Sequence, residues 1–283
     1  MRTPKRAATR FRVRARVASD LLGAAYRGHR DRALFDQVSL FCLFIGYPRS
    51  GHSLVGSLLD AHPEVVLSHE LDALKYIRTG WVGRDQLFSL IVRKDRHFTD
   101  EGRRWTYGFD YSVPDQWQGR FRVLRVVGDK KGGATTRRLA HEPDLLARLR
   151  DVVGVDMRAI HVVRNPFDNI ASMHRRGSGT LPDCADLYFS MCVTNDALRH
   201  REDISVRDVR HEDLVHDPKT VLSDLCGFLG VEAPLAYLEA CESVLYPEPH
   251  RSRDGVEWPP GLKEDVRSLI DGIDFLRGYD FDR

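Results

Sequence analysis

The sequence predicts an α/β fold, a central mainly parallel sheet flanked by helices on both faces. Three observations predict it. Residues 38–47 form an apolar, β-branched and aromatic run that stops at Pro48, and Leu54, Leu58 and Leu59 then recur at helical spacing over 53–61. Residues 157–163 read as a second buried strand, followed by an Asn165-Pro166 turn and a helix over 167–176 with Pro166 at its first position. The rest of the chain keeps alternating short apolar runs with amphipathic stretches, the order that right-handed crossovers place in one sheet.

In order along the chain, 65–67 and 121–127 are short strand candidates and 135–151 is a helical stretch. Residues 75–118 are aromatic, with Trp81, Trp105, Tyr107, Phe109, Tyr111 and Trp117, and weak periodicity reads them as irregular. Downstream, 185–200 is a helix, 204–209 a strand and 262–273 a last helix. The stretch 218–229 is a helix opened by Asp217 and Pro218 and closed by Gly230. No internal repeat or low-complexity linker divides the chain.

A chain of 283 residues with 42% hydrophobic and 30% charged residues has the material for a sizeable core, which excludes disordered, collagenous and disulfide-dense classes. The net charge of +2 hides an asymmetry. Residues 1–34 hold ten Lys or Arg against Asp20 and Asp31, a local +8, which leaves −6 for the remainder. This predicts a basic N-terminal arm over 1–36 and one domain over 37–283. In the arm Arg10, Arg12, Arg14 and Arg16 alternate with Phe11, Val13, Ala15 and Val17. That pattern suits either an arm folded back on its own domain or peripheral contact with an acidic membrane surface. No apolar run is long enough to span a bilayer, and the N-terminus has no cleavable-leader pattern. Cys42, Cys184, Cys192, Cys226 and Cys241 are odd in number and widely spaced, which fits reduced thiols in a cytoplasmic protein and no metal site.

Tyr47-Pro48-Arg49-Ser50-Gly51-His52-Ser53-Leu54 joins the first strand to the first helix, where backbone N–H groups and the positive end of a helix dipole converge. This is an anion site. Gly51 permits close approach, Ser50 and Ser53 supply hydroxyls and Arg49 a fixed charge. Gly46, Gly51 and Ser53 satisfy most of the phosphate-loop pattern of nucleoside triphosphatases, but its Lys is His52, and the second strand ends in Arg164 rather than an acid for magnesium. Arg164 can fork onto a phosphate, with Ser172 eight residues on along the following helix.

The first loop resembles the 5′-phosphosulfate loop of the PAPS-dependent sulfotransferases, and Arg164-Asn165-Pro166 through Ser172 is similar to their second signature. Arg49 stands where many members carry Lys, and His52 where Thr is frequent. The resemblance covers about 40–230 and implies a P-loop-like fold, with 3′-phosphoadenosine 5′-phosphosulfate (PAPS) as co-substrate and no metal. It implies that Arg49, Ser50, Gly51, His52, Ser53 and Leu54 hold the 5′ side and that Arg164 and Ser172 hold the 3′-phosphate. By the same resemblance His211 faces the adenine, and Arg251 and Arg253 belong to a basic loop over the nucleotide. The carbohydrate-type branch carries a catalytic Glu at the place of Ser68-His69-Glu70, which implies Glu70 as general base, with His69 the second choice because its ordinary pKa suits proton transfer at neutral pH. Sulfuryl transfer needs cations on the leaving oxygen. Arg49 and Lys130 of Gly128-Asp129-Lys130-Lys131 fill that role, with Lys131 the adjacent rival.

The expected acceptor is a small-molecule, lipid or carbohydrate hydroxyl, less readily an amine, bound near 75–118 and the loop 176–184. No nucleic-acid partner is expected. Two other readings stay open at this level: a P-loop kinase using ATP, and a catalytically silent nucleotide-binding interaction protein.

Overall fold

The computed structural model describes residues 17, 19–103 and 109–282. Five strands build one all-parallel sheet: β1 (Leu40–Gly46), β2 (Val65–His69), β3 (Val126–Lys130), β4 (Asp156–Val163) and β5 (Ser205–Arg210), in the order β2-β3-β1-β4-β5. Twelve α-helices are described: α1 (19–30), α2 (His52–Asp60), α3 (Ala73–Ile77), α4 (Arg84–Asp100), α5 (Gly133–His141), α6 (Leu145–Val153), α7 (Pro166–Arg175), α8 (Leu181–Arg199), α9 (His211–His216), α10 (Pro218–Leu229), α11 (Leu235–Glu242) and α12 (Leu262–Asp271).

All seven residues of β1 are buried, as a central parallel strand requires. Its alternation splits the core in two. Phe41, Leu43 and Ile45 face α1, α3, α4 and α6, while Leu40, Cys42 and Phe44 face α2, α10 and α11. Leu21 and Ala24 of α1 and the following Phe35 join the first of these clusters, so one face of this segment packs into the core of the sheet. The alternating Arg10, Arg12, Arg14 and Arg16 lie outside the described residues. Because β1 has β3 on one side and β4 on the other, its carboxyl end opens where the strand order reverses, the usual ligand crevice of an open α/β sheet.

The structure revises the sequence reading in four places. The strand expected over 121–127 is β3, which starts five residues later and ends three later, because it buries Asp129 and Lys130 rather than a purely apolar run. The stretch 135–151 is two helices, α5 and α6, broken at Glu142-Pro143. Most of 75–118 was expected to be irregular, but 84–100 is the 17-residue α4, whose Gln86 side chain accepts from the Gly83 N–H at its start. Helix α8 begins four residues earlier than expected, at a Thr180–Asp183 capping box. Among the described residues no helix is long and apolar enough to cross a membrane.

Gly128 sits in register between Cys42 of β1 and Leu67 of β2. A Cβ there would fall 2.2 Å from the Cys42 carbonyl oxygen. Gly128→Ala is therefore expected to cost about 1–3 kcal/mol by overpacking, read as a lower urea midpoint at unchanged slope.

Candidate functional site

The loop from β1 to α2 turns through left-handed backbone at Gly46 (φ 136°), Arg49 (φ 71°) and Gly51 (φ 92°). Such a conformation is unfavourable for Arg49, so the surroundings must hold it. Thr136 Oγ1 accepts from the Gly46 N–H at 2.9 Å, Asn169 Nδ2 donates to the Pro48 carbonyl at 2.8 Å, and an Arg164 amino group donates to the Arg49 carbonyl at 3.4 Å. Gly51 is the N-cap of α2 and supplies no side-chain bond, which leaves first-turn amides for an anion. His52 is buried, and burial, reinforced by Lys130, pulls its pKa to about 3, so its ring is neutral beside Ser50 Oγ at 3.2 Å. Leu54 packs against the α2 side of the core.

Lys130 reaches this loop from the end of β3. Its Nζ donates to Ser53 Oγ at 2.9 Å and lies 3.3 Å from Glu70 Oε1 and 3.4 Å from His69 Nε2. Lys131 holds the other Glu70 oxygen at 2.8 Å. Burial lowers the Lys130 pKa to about 8 against the opposing pull of Glu70. For Glu70 burial acts upward, but Lys130 and Lys131 outweigh it and set its pKa at about 2. His69 is pulled to about 2 by burial and Lys130, and its ring stacks on Phe98 with centroids 4.0 Å apart. Tyr111 tilts against His69 at 5.8 Å and stacks with Phe109 at 6.3 Å, so an aromatic run leads up to Glu70.

The turn that presents Glu70 has positive φ at Glu70 and Asp72. Asp129, buried under it, accepts from Ser68 Oγ, the Leu71 N–H and the Ala73 N–H, which offsets part of the rise to about 6 that burial imposes on its pKa. Glu70 is thus not the cap of α3; that position is Asp72.

On the other side of the loop, Arg164 follows β4. Its amino groups donate to the His250 carbonyl, Ser252 Oγ and the Arg49 carbonyl, while its Nε is buried with no hydrogen-bond partner among the described residues. Arg49 Nε donates to Ser172 Oγ at 3.4 Å. The His211 ring lies against Gly51, where a Cβ would come within 2.5 Å of Nδ1, and that nitrogen is also buried without a partner. Burial and Arg164 lower its pKa to about 4. Two orphaned buried nitrogens beside an uncapped helix start are a cradle suited to an anionic ligand.

A model of the sulfotransferase family matches residues 43–234, a span that contains the loop, Glu70, Lys130 and Arg164. The chain belongs to the sulfotransferase family. It is similar to solved sulfotransferases at low identity. The sulfotransferase domain of the Synechococcus PCC 7002 olefin synthase is 18% identical, with a TM-score of 0.49 over 83% of this chain and 94% of that one. A sulfotransferase from Alicyclobacillus acidocaldarius is 17% identical, with a TM-score of 0.44 over 83% and 92%. Mouse sulfotransferase SULT7A1, solved with PAP, is 13% identical, with a TM-score of 0.43 over 83% and 84%. No curated protein matches the sequence.

Within this member of the family the residues singled out from sequence form two groups on either side of one loop. Lys130, Ser53, Glu70 and His69 form one; Arg49, Arg164, Ser172, Gly51 and His211 form the other. The C-terminal loop joins the second group through His250 and Ser252, which accept from Arg164, and Arg253 lies near enough to Arg164 to lower its pKa. Arg253 is buried and bonded to Asp168 at 2.6 Å, which ties that loop to α7, and Arg251 pairs with Asp254 at the surface. Sequence reasoning passed over Asn169 and Thr136, whose side chains, with that of Asp129, hold the backbone of the two turns. Gly56 also went unnoticed: a Cβ there would meet Lys130 Cγ at 2.8 Å, so a glycine in α2 makes room for the lysine stem.

Proposed function

We propose that this chain transfers a sulfuryl group from PAPS to the hydroxyl of an acceptor, with Glu70 as the base. The observation that carries the reading is Lys130, one buried cation that touches both Ser53 of the anion loop and the Glu70 carboxylate. In the proposed reaction Glu70 takes the acceptor proton as the acceptor oxygen bonds to sulfur. The bond from sulfur to the bridging oxygen breaks, and adenosine 3′,5′-bisphosphate leaves with the electron pair. Lys130 and Arg49 offset the charge that develops on that leaving oxygen. The phosphosulfate competes with Glu70 for Lys130 and Lys131, which frees a carboxylate otherwise held at about 2 to act as a stronger base. Arg164 and Ser172 hold the 3′-phosphate, and the run Phe109, Tyr111, His69 and Phe98 receives an acceptor with a sugar or apolar ring.

Calorimetric titration with adenosine 3′,5′-bisphosphate and with ATP and magnesium tests the donor site without knowledge of the acceptor. Preferential bisphosphate binding is expected, weakened about 100-fold in Arg164→Ala, as loss of charge-assisted bonds to one phosphate requires. Glu70→Gln should leave that affinity nearly intact while lowering turnover about 100-fold. Preference for ATP would move the kinase reading to the front. Tight bisphosphate binding with no transfer to any acceptor would favour a silent module.

A further inference from the structure

We infer that a buried hydrogen-bond chain from Gly46 through Thr136, Asn195 and His161 to Asp208 is a positioning device that aims the anion loop. It rests on the reading of 46–51 as an anion cradle but not on which nucleotide fills it. Five elements meet in it, β1, α5, α8, β4 and β5, and the side chains of Thr136, Asn195 and His161 are all 0% exposed.

The chain begins where the sheet runs out of partners. Pairing of β1 with β3 ends at Leu43 and Asp129, whereas pairing with β4 continues to Gly46 and Val162. The Gly46 N–H is instead taken by Thr136 Oγ1 at 2.9 Å, and the Thr136 hydroxyl donates onward to Asn195 Oδ1 at 2.8 Å. Asn195 Nδ2 then donates to His161 Nε2 at 3.3 Å, which places the imidazole proton on Nδ1, and Nδ1 donates to Asp208 Oδ1 at 2.8 Å. Every donor points the same way, from the last amide of β1 to a carboxylate that Arg199 anchors at 2.8 Å.

The Tyr47 hydroxyl meets the same His161 Nε2 at 3.1 Å, and its ring stacks on Tyr188 with centroids 4.2 Å apart. Gly46 and Tyr47, the two residues before Pro48-Arg49, are therefore both set by one histidine tautomer. Buried polar groups of this number cost stability unless every bond is made, so the network imposes one arrangement rather than adding cohesion. His161, Thr136 and Asp208 touch neither Lys130 nor Glu70 in any contact described here; they are positioning residues, acting through the loop backbone.

Thr136→Val keeps the shape and removes the hydroxyl, Thr136→Ser restores it, and Asp208→Asn removes the acceptor that fixes the tautomer. Two readouts on the full chain separate positioning from stability: amide hydrogen exchange of 46–51, and calorimetric affinity for adenosine 3′,5′-bisphosphate. Thr136→Val and Asp208→Asn should each speed loop exchange and weaken the bisphosphate by roughly 10-fold, the worth of one buried hydrogen bond, while the β1 amides before Gly46 stay protected. Thr136→Ser should behave as the parent. Unchanged exchange and affinity in Thr136→Val, or a Ser variant as impaired as the Val one, would overturn the inference. Faster loop exchange in a protein whose parent binds no bisphosphate would uphold the positioning role and sink the PAPS reading instead.

Discussion

Replacing Lys130 by methionine is expected to lower turnover about 1,000-fold, the scale on which one preorganised charge-stabilising donor matters. Methionine keeps the buried stem that Gly56 accommodates, so the loss falls on the ammonium and its contacts to Ser53 and Glu70. The same group predicts a pH dependence. Because burial brings Lys130 to about 8, bisphosphate affinity should weaken as pH rises through 8, and Lys130→Arg should abolish that decline. Stability should move the other way. The folded pKa lies below the ordinary 10.5, so between the two values the unfolded chain binds a proton that the folded chain does not, and the Lys130 contribution to stability rises with pH. Affinity that falls while the urea midpoint holds or climbs assigns the effect to the site. Normal turnover in the methionine variant would remove Lys130 from the chemistry.

The largest expected effect on stability is that of Arg103→Ala. Arg103 is 3% exposed and joins two buried acids, pairing with Asp60 and, at 2.9 Å, with Asp95, and it also donates to Thr99 Oγ1 at 2.6 Å. Burial, and then the nearby Asp60, push the Asp95 carboxyl well above the usual carboxylate range even with the guanidinium present. Alanine leaves both acids buried without a cation, a loss of about 3–5 kcal/mol in urea unfolding. The variant should recover on acidification: without Arg103 the folded state holds protons that the unfolded state releases above its ordinary carboxylate pKa, so the deficit at pH 5 should be smaller than at pH 8. An equal deficit at both values would place the cost in packing instead. Arg103 also accepts the Tyr111 N–H through its carbonyl, so this network braces the aromatic run beside Glu70.

The readable parts of the sequence were those in which one local stretch performs a whole task. The 47–54 loop declares itself because a strand, a tight turn with Gly51 and a helix start are consecutive. The same holds for Asn165, which accepts the Phe167 N–H as the cap of α7, and for Asp217, which accepts from Thr220 at the start of α10. Helix α4 was illegible for the opposite reason. Its buried face includes Asp95, which no hydrophobic pattern predicts, because Asp95 is satisfied by Arg103 beyond the helix end and by the Gly119 N–H across the fold. Residue β3 position 130 was misplaced by the same logic, since a buried lysine interrupts the apolar run that marks a strand.

Sequence alone determined the chemical inventory of this protein: a strand-to-helix loop with Arg49, Ser50, Gly51 and Ser53 but without the nucleotidase lysine, a second cation at the end of a later strand, and a carboxylate after β2. Those follow from residue type and short-range geometry. Only the tertiary structure decided which of them meet. The strand order β2-β3-β1 lays Glu70, Lys130 and Ser53 side by side although Ser53 and Lys130 are 77 residues apart. Strand order is set by which apolar faces cover one another, a property of the whole core that no single segment encodes.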